Sequence, residues 1–101
     1  MREVTEVAVG VLIDKEGRFL MASRPQGKPY AGWWEFPGGK LEAGEAVTEA
    51  LSREYAEELG VKVKKATPWF VFEREYPHAY VRLHFCRIVD WEGQPQPREG
   101  Q

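Results

Sequence analysis

Apolar and polar residues alternate near the start of the chain, and this pattern predicts a β-strand. Apolar side chains occupy every second position from Val7 to Ile13, within a predicted strand that spans Val4 to Ile13. The next four residues, Asp-Lys-Glu-Gly, are typical of a turn, because glycine readily adopts a positive φ. Arg18 to Ser23 is expected to return as a second strand, so this part of the chain predicts a β-hairpin.

The alternation stops in the segment that follows the predicted hairpin. Residues Arg24 to Gly32 include two prolines and two glycines, which predict an irregular surface loop. Trp33 to Phe36 predicts a short strand, and Pro37-Gly38-Gly39 is expected to end it. We therefore expect a glycine-rich loop ahead of the next element.

From about Ala46 to Leu59 the spacing of apolar residues becomes that of a helix. Apolar side chains recur every four residues and form one core-facing stripe. The stripe consists of Val47, Leu51, Tyr55 and Leu59, with Ala50 beside it. Glu45 lies at the predicted helix start, where a negative charge suits the helix dipole, and Gly60 is the expected C-cap.

The remainder of the chain again predicts β structure. Val61 to Val63 and the run from Trp69 to Tyr76 are rich in β-forming residues. Pro77-His78 predicts a turn, a long strand is expected from Tyr80 to Trp91, and the last ten residues predict a loop. One helix among several strands indicates an α+β domain.

Composition narrows the class of protein. The 101 residues suit one domain, residues 1–101, and 43% of them are hydrophobic. A net charge of −2 argues against stable nucleic-acid binding, which usually needs a basic face. No apolar run approaches the roughly 18 residues of a membrane span. The single cysteine, Cys86, lies in an apolar run and predicts a buried thiol, and we expect a cytoplasmic protein with no disulfide.

Three carboxylates lie close together on the predicted helix. Glu54, Glu57 and Glu58 are spaced three and four residues apart, so they project from one side and flank the apolar stripe. Like charges so close repel one another unless a cation neutralises them, and carboxylates are the ligands that Mg²⁺ prefers. Taken alone, the run fits an ordinary solvated helix surface better than a metal site.

The preceding glycines strengthen the interpretation as a metal site. Gly38 and Gly39 allow the backbone to approach a ligand closely and leave a carbonyl free to coordinate a metal. The loop is not a Walker A phosphate loop, because Glu45 stands where that motif requires lysine. Phosphate is therefore expected to be held through a metal ion.

Taken whole, this stretch resembles the motif of the Nudix hydrolase superfamily. The matching residues are Gly39, Glu45, Arg53, Glu54, Glu57, Glu58, Gly60 and Val61. Tyr55 departs from the motif, since an aliphatic residue is more usual there, but it fits the apolar stripe. Trp34 to Lys40, the first strand, and the C-terminal Trp91-Glu92-Gly93 and Arg98-Glu99-Gly100-Gln101 resemble the MutT branch.

The resemblance implies a fold and a reaction. The fold is an α/β/α sandwich with a mixed central sheet, here with one main helix and without the C-terminal helix. The reaction is Mg²⁺-dependent hydrolysis, with Mn²⁺ as a possible substitute, of a nucleoside triphosphate of the 8-oxo-dGTP type to a monophosphate and pyrophosphate. The implied metal ligands are Gly38 through its carbonyl, Glu54, Glu57, Glu58 and Glu99.

The resemblance also implies roles for other residues. Either Glu54 or Glu99 is the general base, and Glu45 and Arg53 are orienting partners within the catalytic set. The candidates for substrate contact are Arg24, Phe36, Gly39 and Tyr76. For Arg24 an exposed loop position is the competing interpretation, and for Phe36 it is core packing.

The chain also differs from the family in length. We expect a shortened Nudix domain that leaves one sheet face open, dimerises or exchanges domains, and discriminates purines poorly. Two alternatives stay open for function: a Nudix hydrolase of ADP-ribose, dinucleotides or nucleotide sugars, and a non-catalytic Nudix-like binding module.

Overall fold

The computed structural model describes residues 3–24, 26–27 and 30–101. The strands and the helix have the following bounds: β1 Val4–Leu12, β2 Ala22–Ser23, β3 Trp34–Glu35, β4 Gly38–Lys40, α1 Val47–Leu59, β5 Lys62–Tyr76 and β6 Ala79–Glu92. The predicted loop from Arg24 to Gly32 is described at 24, 26–27 and 30–32, and the chain forms turns at 26–27 and 30–32. Its residues Pro25, Lys28 and Pro29 lie outside the described residues.

The main sheet is mixed and has four strands in the order β4-β1-β6-β5. Strand β1 pairs antiparallel with β4 and parallel with β6, and β5 pairs antiparallel with β6. A parallel pair requires a crossover connection, and the segment that contains α1 lies within it. Strands β2 and β3 form a separate two-stranded sheet. The prediction of an α+β fold with a mixed central sheet is confirmed.

Helix α1 packs its predicted stripe on the centre of the main sheet. Its buried residues meet buried residues of β1 and β6 in one cluster. The cluster contains Ala8, Leu12, Ala50, Leu51, Tyr55, Leu59, Val61, Cys86 and Ile88. Burial raises the pKa of the Cys86 thiol, as expected for a cysteine that packs as an apolar residue.

Tyr55, the departure from the family motif, is accommodated by a glycine on β1. The Tyr55 hydroxyl donates a 2.9 Å hydrogen bond to the Gly10 carbonyl. A Cβ at Gly10 would stand 2.6 Å from the tyrosine ring, so the ring occupies space that only glycine leaves open. This contact holds the middle of α1 against the central strand β1.

The predicted second strand, Arg18 to Ser23, is wrong over most of its length. Only Ala22–Ser23 is a strand, and it pairs with Trp34–Glu35. The backbone pairing of Arg18 to Ser23 next to the first strand is one bridge between Ile13 and Phe19, which includes the hydrogen bond from Leu20 N to Leu12 O at 3.0 Å. Asp14 accepts hydrogen bonds from the backbone N–H groups of residues 16 and 18, and these bonds close the turn. After the turn, strand β2 pairs with β3 instead of β1.

The short strand predicted at Trp33 to Phe36 ends before Pro37, as expected, but the glycine-rich loop predicted after it is wrong. Gly38 to Lys40 forms strand β4, and its register places Gly38 opposite Val9. A Cβ at Gly38 would lie 2.0 Å from the Ala8 carbonyl oxygen, so glycine permits a strand that approaches β1 unusually closely. The glycine-rich segment is therefore an edge strand rather than a loop.

Strand β5 runs without a break through Pro68, where the sequence suggests two separate runs. It is the edge strand of the sheet and contains register shifts, which is where proline is tolerated. On the sheet face away from α1, Phe70 stacks on Phe85 at 4.5 Å between ring centroids and is 46% exposed. Phe70 is one of several large apolar side chains of β5 that are exposed to solvent.

None of the helices formed by the described residues has the length and apolar character needed to span a bilayer.

Candidate active site

Arg53 ties the helix to the chain segment that precedes it. Its Nε donates to Glu45 Oε2 at 2.8 Å, and its Nη2 donates to the Lys40 carbonyl at 3.0 Å. Its Nη1 donates to Glu54 Oε1 at 2.8 Å. The guanidinium hydrogen bond holds the pKa of Glu45 down to about 2. Arg53 therefore fixes Glu54 in place while joining α1 to β4 and to the turn before the helix.

Gly39 lies directly against the carboxylate of Glu54. A Cβ at Gly39 would stand 2.4 Å from Glu54 Cδ, so glycine leaves the space that the carboxylate needs. Glu54 is 17% exposed, whereas Glu57 is 54% exposed and lies 3.5 Å from Arg53 Nη1. The helix thus presents one enclosed and one open carboxylate beside Arg53.

A cleft next to the helix brings together carboxylates from three parts of the chain. Glu58 comes from α1, Glu35 from β3 and Glu99 from the C-terminal segment. The remaining residues that line it are Ala22, Ser23, Pro37 and Gln101. Two backbone hydrogen bonds hold the C-terminal segment to the end of α1: Gln96 N donates to Leu59 O at 2.9 Å, and Arg98 N donates to Glu58 O at 3.1 Å.

The carboxylates in and beside this cleft repel one another. Burial raises the pKa of Glu58 to about 8, and the charges of Glu54, Glu99 and Glu35 add to this, opposed by a hydrogen bond from the Gly38 N–H. Burial also raises the pKa of Glu54, although Arg53 opposes the change. Glu58 Oε2 is buried without a hydrogen-bond partner. A buried, unpaired carboxylate oxygen is costly, so this site favours a bound cation or proton.

The predicted substrate-contact residues differ in how they lie relative to the residues that line the cleft. Arg24 Nη1 lies 3.3 Å from Glu35 Oε1, at the edge of the carboxylate group. Phe36 follows Glu35 and packs edge-on against Phe19. Tyr76 lies at the tip of the β5–β6 hairpin, with its ring against His78 and outside the residues that line the cleft.

Sequence reasoning missed two residues of this site. Glu35 lies in the segment from Trp34 to Lys40 that resembles the MutT branch, but its own role was not recognised. Gln101 follows Glu99 by two residues, and its side chain reaches the backbone of Glu58. That resemblance was the available signal for both, since neither residue belongs to the helical motif.

Comparison with known families agrees with the arrangement around α1. The family model described as the NUDIX domain matches residues 4–101. The chain belongs to the Nudix family. It is a Nudix hydrolase, and the match covers all seven elements of the fold.

Individual relatives of this Nudix hydrolase share most of its length. The 8-oxo-dGTP diphosphatase of Haemophilus influenzae is 36% identical over 100 residues, covering 99% of this chain and 74% of that protein. The CTP pyrophosphohydrolase of Escherichia coli is 37% identical over 93 residues, covering 92% and 69% of the two chains. The crystal structure of a MutT Nudix hydrolase from Burkholderia pseudomallei has a TM-score of 0.86 at 28% identity, covering 96% and 75%.

The donors around α1 fit a divalent cation in their chemistry. Glu58 Oε2 is buried without a partner, and burial together with neighbouring carboxylate charges raises the pKa values of Glu54 and Glu58, so a cation would stabilise their ionised forms. In the described part of the chain the side chains do not form a closed group of three metal ligands. Arg53 takes one oxygen from Glu54 and lies near one from Glu57, so it supplies part of the neutralising charge.

Glu58→Gln is expected to change how stability depends on pH in the metal-free Nudix hydrolase. Folding raises the pKa of Glu58 from 4.5 to about 8, so the native state binds more protons than the unfolded state between these values. Wild-type stability therefore falls as pH rises through this window. The free energy of unfolding of the variant should depend much less on pH. At pH 8 it should exceed that of wild type by about 1–2 kcal/mol, a figure that is lowered because solvent screens a partly exposed carboxylate.

Urea unfolding at pH 5 and pH 8 in the presence of EDTA measures this effect. Glu57→Gln is the matched control, since the same change at the exposed neighbouring glutamate should leave the slope near that of wild type. Parallel pH profiles for wild type and Glu58→Gln would contradict the assigned environment of Glu58.

Proposed function

We propose that this Nudix hydrolase is a Mg²⁺-dependent nucleoside triphosphate pyrophosphohydrolase that acts on 8-oxo-dGTP. The observation that carries the proposal is the convergence of Glu54, Glu58 and Glu99, where burial, with the charges of the neighbouring carboxylates added to it, raises the pKa of Glu58 to about 8. A triphosphate with its counter-cation is the natural partner of such a site. The 8-oxo-dGTP diphosphatase activity named for the Haemophilus influenzae relative supports the choice of substrate.

The proposed metal ligands are Glu54, Glu57, Glu58, Glu99 and the carbonyl of Gly38. When bound, a divalent cation would neutralise phosphate charge and acidify water near the attacked phosphorus. Arg53 and Glu45 would orient Glu54, since Arg53 bonds both carboxylates and the Lys40 carbonyl. Arg24, Phe36, Gly39 and Tyr76 remain the candidates for substrate contact.

The proposed reaction needs one proton acceptor. Water attacks a phosphorus, the bridging P–O bond breaks, and the products are a nucleoside monophosphate and pyrophosphate. Glu54 and Glu99 are both candidates for the general base: Glu54 is enclosed and held by Arg53, and Glu99 is exposed and lines the cleft. The pH dependence of kcat in Glu54→Gln and Glu99→Gln distinguishes them, because only loss of the base should remove the acidic limb.

Substrate profiling tests the proposal. The protein is incubated with Mg²⁺ and 8-oxo-dGTP, dGTP, CTP or ADP-ribose, and the products are identified by chromatography. We expect fastest turnover of 8-oxo-dGTP, release of pyrophosphate, and loss of activity with EDTA or in Glu57→Gln. CTP is included because one relative is a CTP pyrophosphohydrolase.

Each other outcome supports a different function. Preferred cleavage of CTP would indicate a CTP pyrophosphohydrolase. Preferred cleavage of ADP-ribose would indicate a hydrolase of diphosphate-linked substrates. Absence of turnover for every nucleotide, with binding retained, would indicate a non-catalytic binding module.

A further inference from the structure

Gln101 forms two side-chain hydrogen bonds that connect the cleft to the helix. Its Oε1 accepts from the Glu99 backbone N–H at 2.7 Å. Its Nε2 donates to the Glu58 carbonyl at 3.0 Å. The same amide therefore contacts the backbone of both Glu58 and Glu99, two of the acidic residues that line the cleft.

These bonds matter because Glu99 has little other support. Glu99 lies in an irregular, exposed segment between Arg98 and Gly100, and Gly100 has φ of 78°. Gln96 and Arg98 attach this segment to α1 through backbone atoms before Glu99 is reached. Past Arg98, the hydrogen bonds from Gln101 continue that attachment and turn the chain back toward Glu58.

The Glu58 carbonyl is one of the last in α1 and has no helical partner beyond the end of the helix. Gln101 and Arg98 both donate to it. The C-terminal segment that carries Glu99 is therefore attached to the end of α1 on both sides of Glu99. Repulsion among Glu54, Glu58 and Glu99 would otherwise drive an exposed segment away from the cleft.

The geometry points to Gln101 as a positioning residue that holds Glu99 beside the helical carboxylates. The inference rests on the proposed function, since it assigns Gln101 to the support of a metal-binding carboxylate. Residues that orient metal ligands through hydrogen bonds typically change affinity by about 10- to 100-fold when they are replaced.

The first test measures backbone hydrogen exchange by NMR in the metal-free protein. Gln101→Ala should increase the exchange rate of the Glu99 amide by about tenfold while the amide of Tyr55, in the middle of α1, stays at the wild-type rate. Gln101→Glu should not restore protection at Glu99, because its carboxylate cannot donate to the Glu58 carbonyl and adds a negative charge beside Glu58 and Glu99. Gln96→Ala is the matched control, since Gln96 contributes through its backbone N–H, which the change retains.

The second test is a double-mutant cycle on Mn²⁺ binding, followed by electron paramagnetic resonance. Gln101→Ala should weaken Mn²⁺ binding about tenfold in the wild-type background and have little effect in Glu99→Gln, because both changes remove the same ligand. A purely structural role would lower the thermal midpoint and weaken binding equally in both backgrounds. Unchanged exchange at Glu99, or equal losses in both backgrounds, would overturn the inference.

The two proposals can fail separately. A wild-type protein that binds Mn²⁺ but hydrolyses no nucleotide would contradict the proposed function and leave the cycle interpretable. A wild-type protein that binds no Mn²⁺ would contradict the proposed metal site and the role of Gln101 in metal binding. Hydrogen exchange at the Glu99 amide would then still test whether Gln101 holds Glu99 in place.

Discussion

Glu54→Gln is expected to lower the rate of nucleotide hydrolysis by about 100-fold or more while the fold is retained. The change removes the negative charge but keeps an oxygen that accepts from Arg53 Nη1, so Arg53 is expected to keep its hydrogen bond to the Lys40 carbonyl of β4. It should also relieve part of the repulsion that raises the pKa of Glu58. Steady-state kinetics with 8-oxo-dGTP, together with circular dichroism, measures both parts.

Glu49→Gln is the matched control for this prediction, because it makes the same change four residues from Arg53 on the same helix. Glu49 Oε1 accepts from the Ala46 N–H at the start of α1, and glutamine can accept the same bond. Activity close to wild type is expected for the control. If Glu54→Gln kept more than about a tenth of wild-type activity, Glu54 would be neither an essential ligand nor the general base.

The adjacent glycines of β4 are expected to respond differently to the same substitution. Neither has a positive φ, so alanine is allowed by the backbone and the effects come from contacts alone. Gly38→Ala places Cβ 2.0 Å from the Ala8 carbonyl oxygen and should cost about 3 kcal/mol, because strand β4 must move away from β1. Gly39→Ala places Cβ 2.4 Å from Glu54 Cδ and should lower activity about 100-fold by displacing that carboxylate.

Thermal unfolding and kinetics on both variants check this contrast. Gly39→Ala should cost less stability than Gly38→Ala, since a side chain can rotate away from a new methyl group more easily than a backbone carbonyl can. Equal stability losses in the two variants, or a fully active Gly39→Ala, would show that β4 does not hold Glu54 in the way described.

The helix was predictable in detail because its determinants are local. The four-residue spacing of apolar side chains and the glycine after Leu59 correctly predict α1, and Gly60 has φ of 69° as expected for its C-cap. The same local geometry places Glu54, Glu57 and Glu58 on one side. The Nudix family, identified from this spacing, is confirmed by the family match over residues 4–101.

The strands around the site were less predictable because pairing depends on partners distant in sequence. Arg18 to Ser23 follows a typical turn sequence and so suggests the second strand of a hairpin, yet the only strand within it, Ala22–Ser23, pairs with β3 and not with β1. Gly38 to Lys40 has weak strand propensity, and its pairing follows from the close approach that Gly38 permits to Ala8. In both cases the pairing partner belongs to another strand: Ser23 pairs with Trp34, and Gly39 pairs with Ala8.

By itself the sequence determined the fold class, the family, and a helix whose carboxylates demand neutralisation, because helical spacing and charge act over three or four residues. Tertiary structure decided which further groups join those carboxylates. The cleft is completed by Glu35 from β3, by Glu99 from the C-terminal segment, and by Gln101, which fastens that segment to Glu58. These residues come together only when β3 and the C-terminal segment pack beside α1. That packing depends on contacts between residues distant in sequence, so no local sequence pattern predicts it.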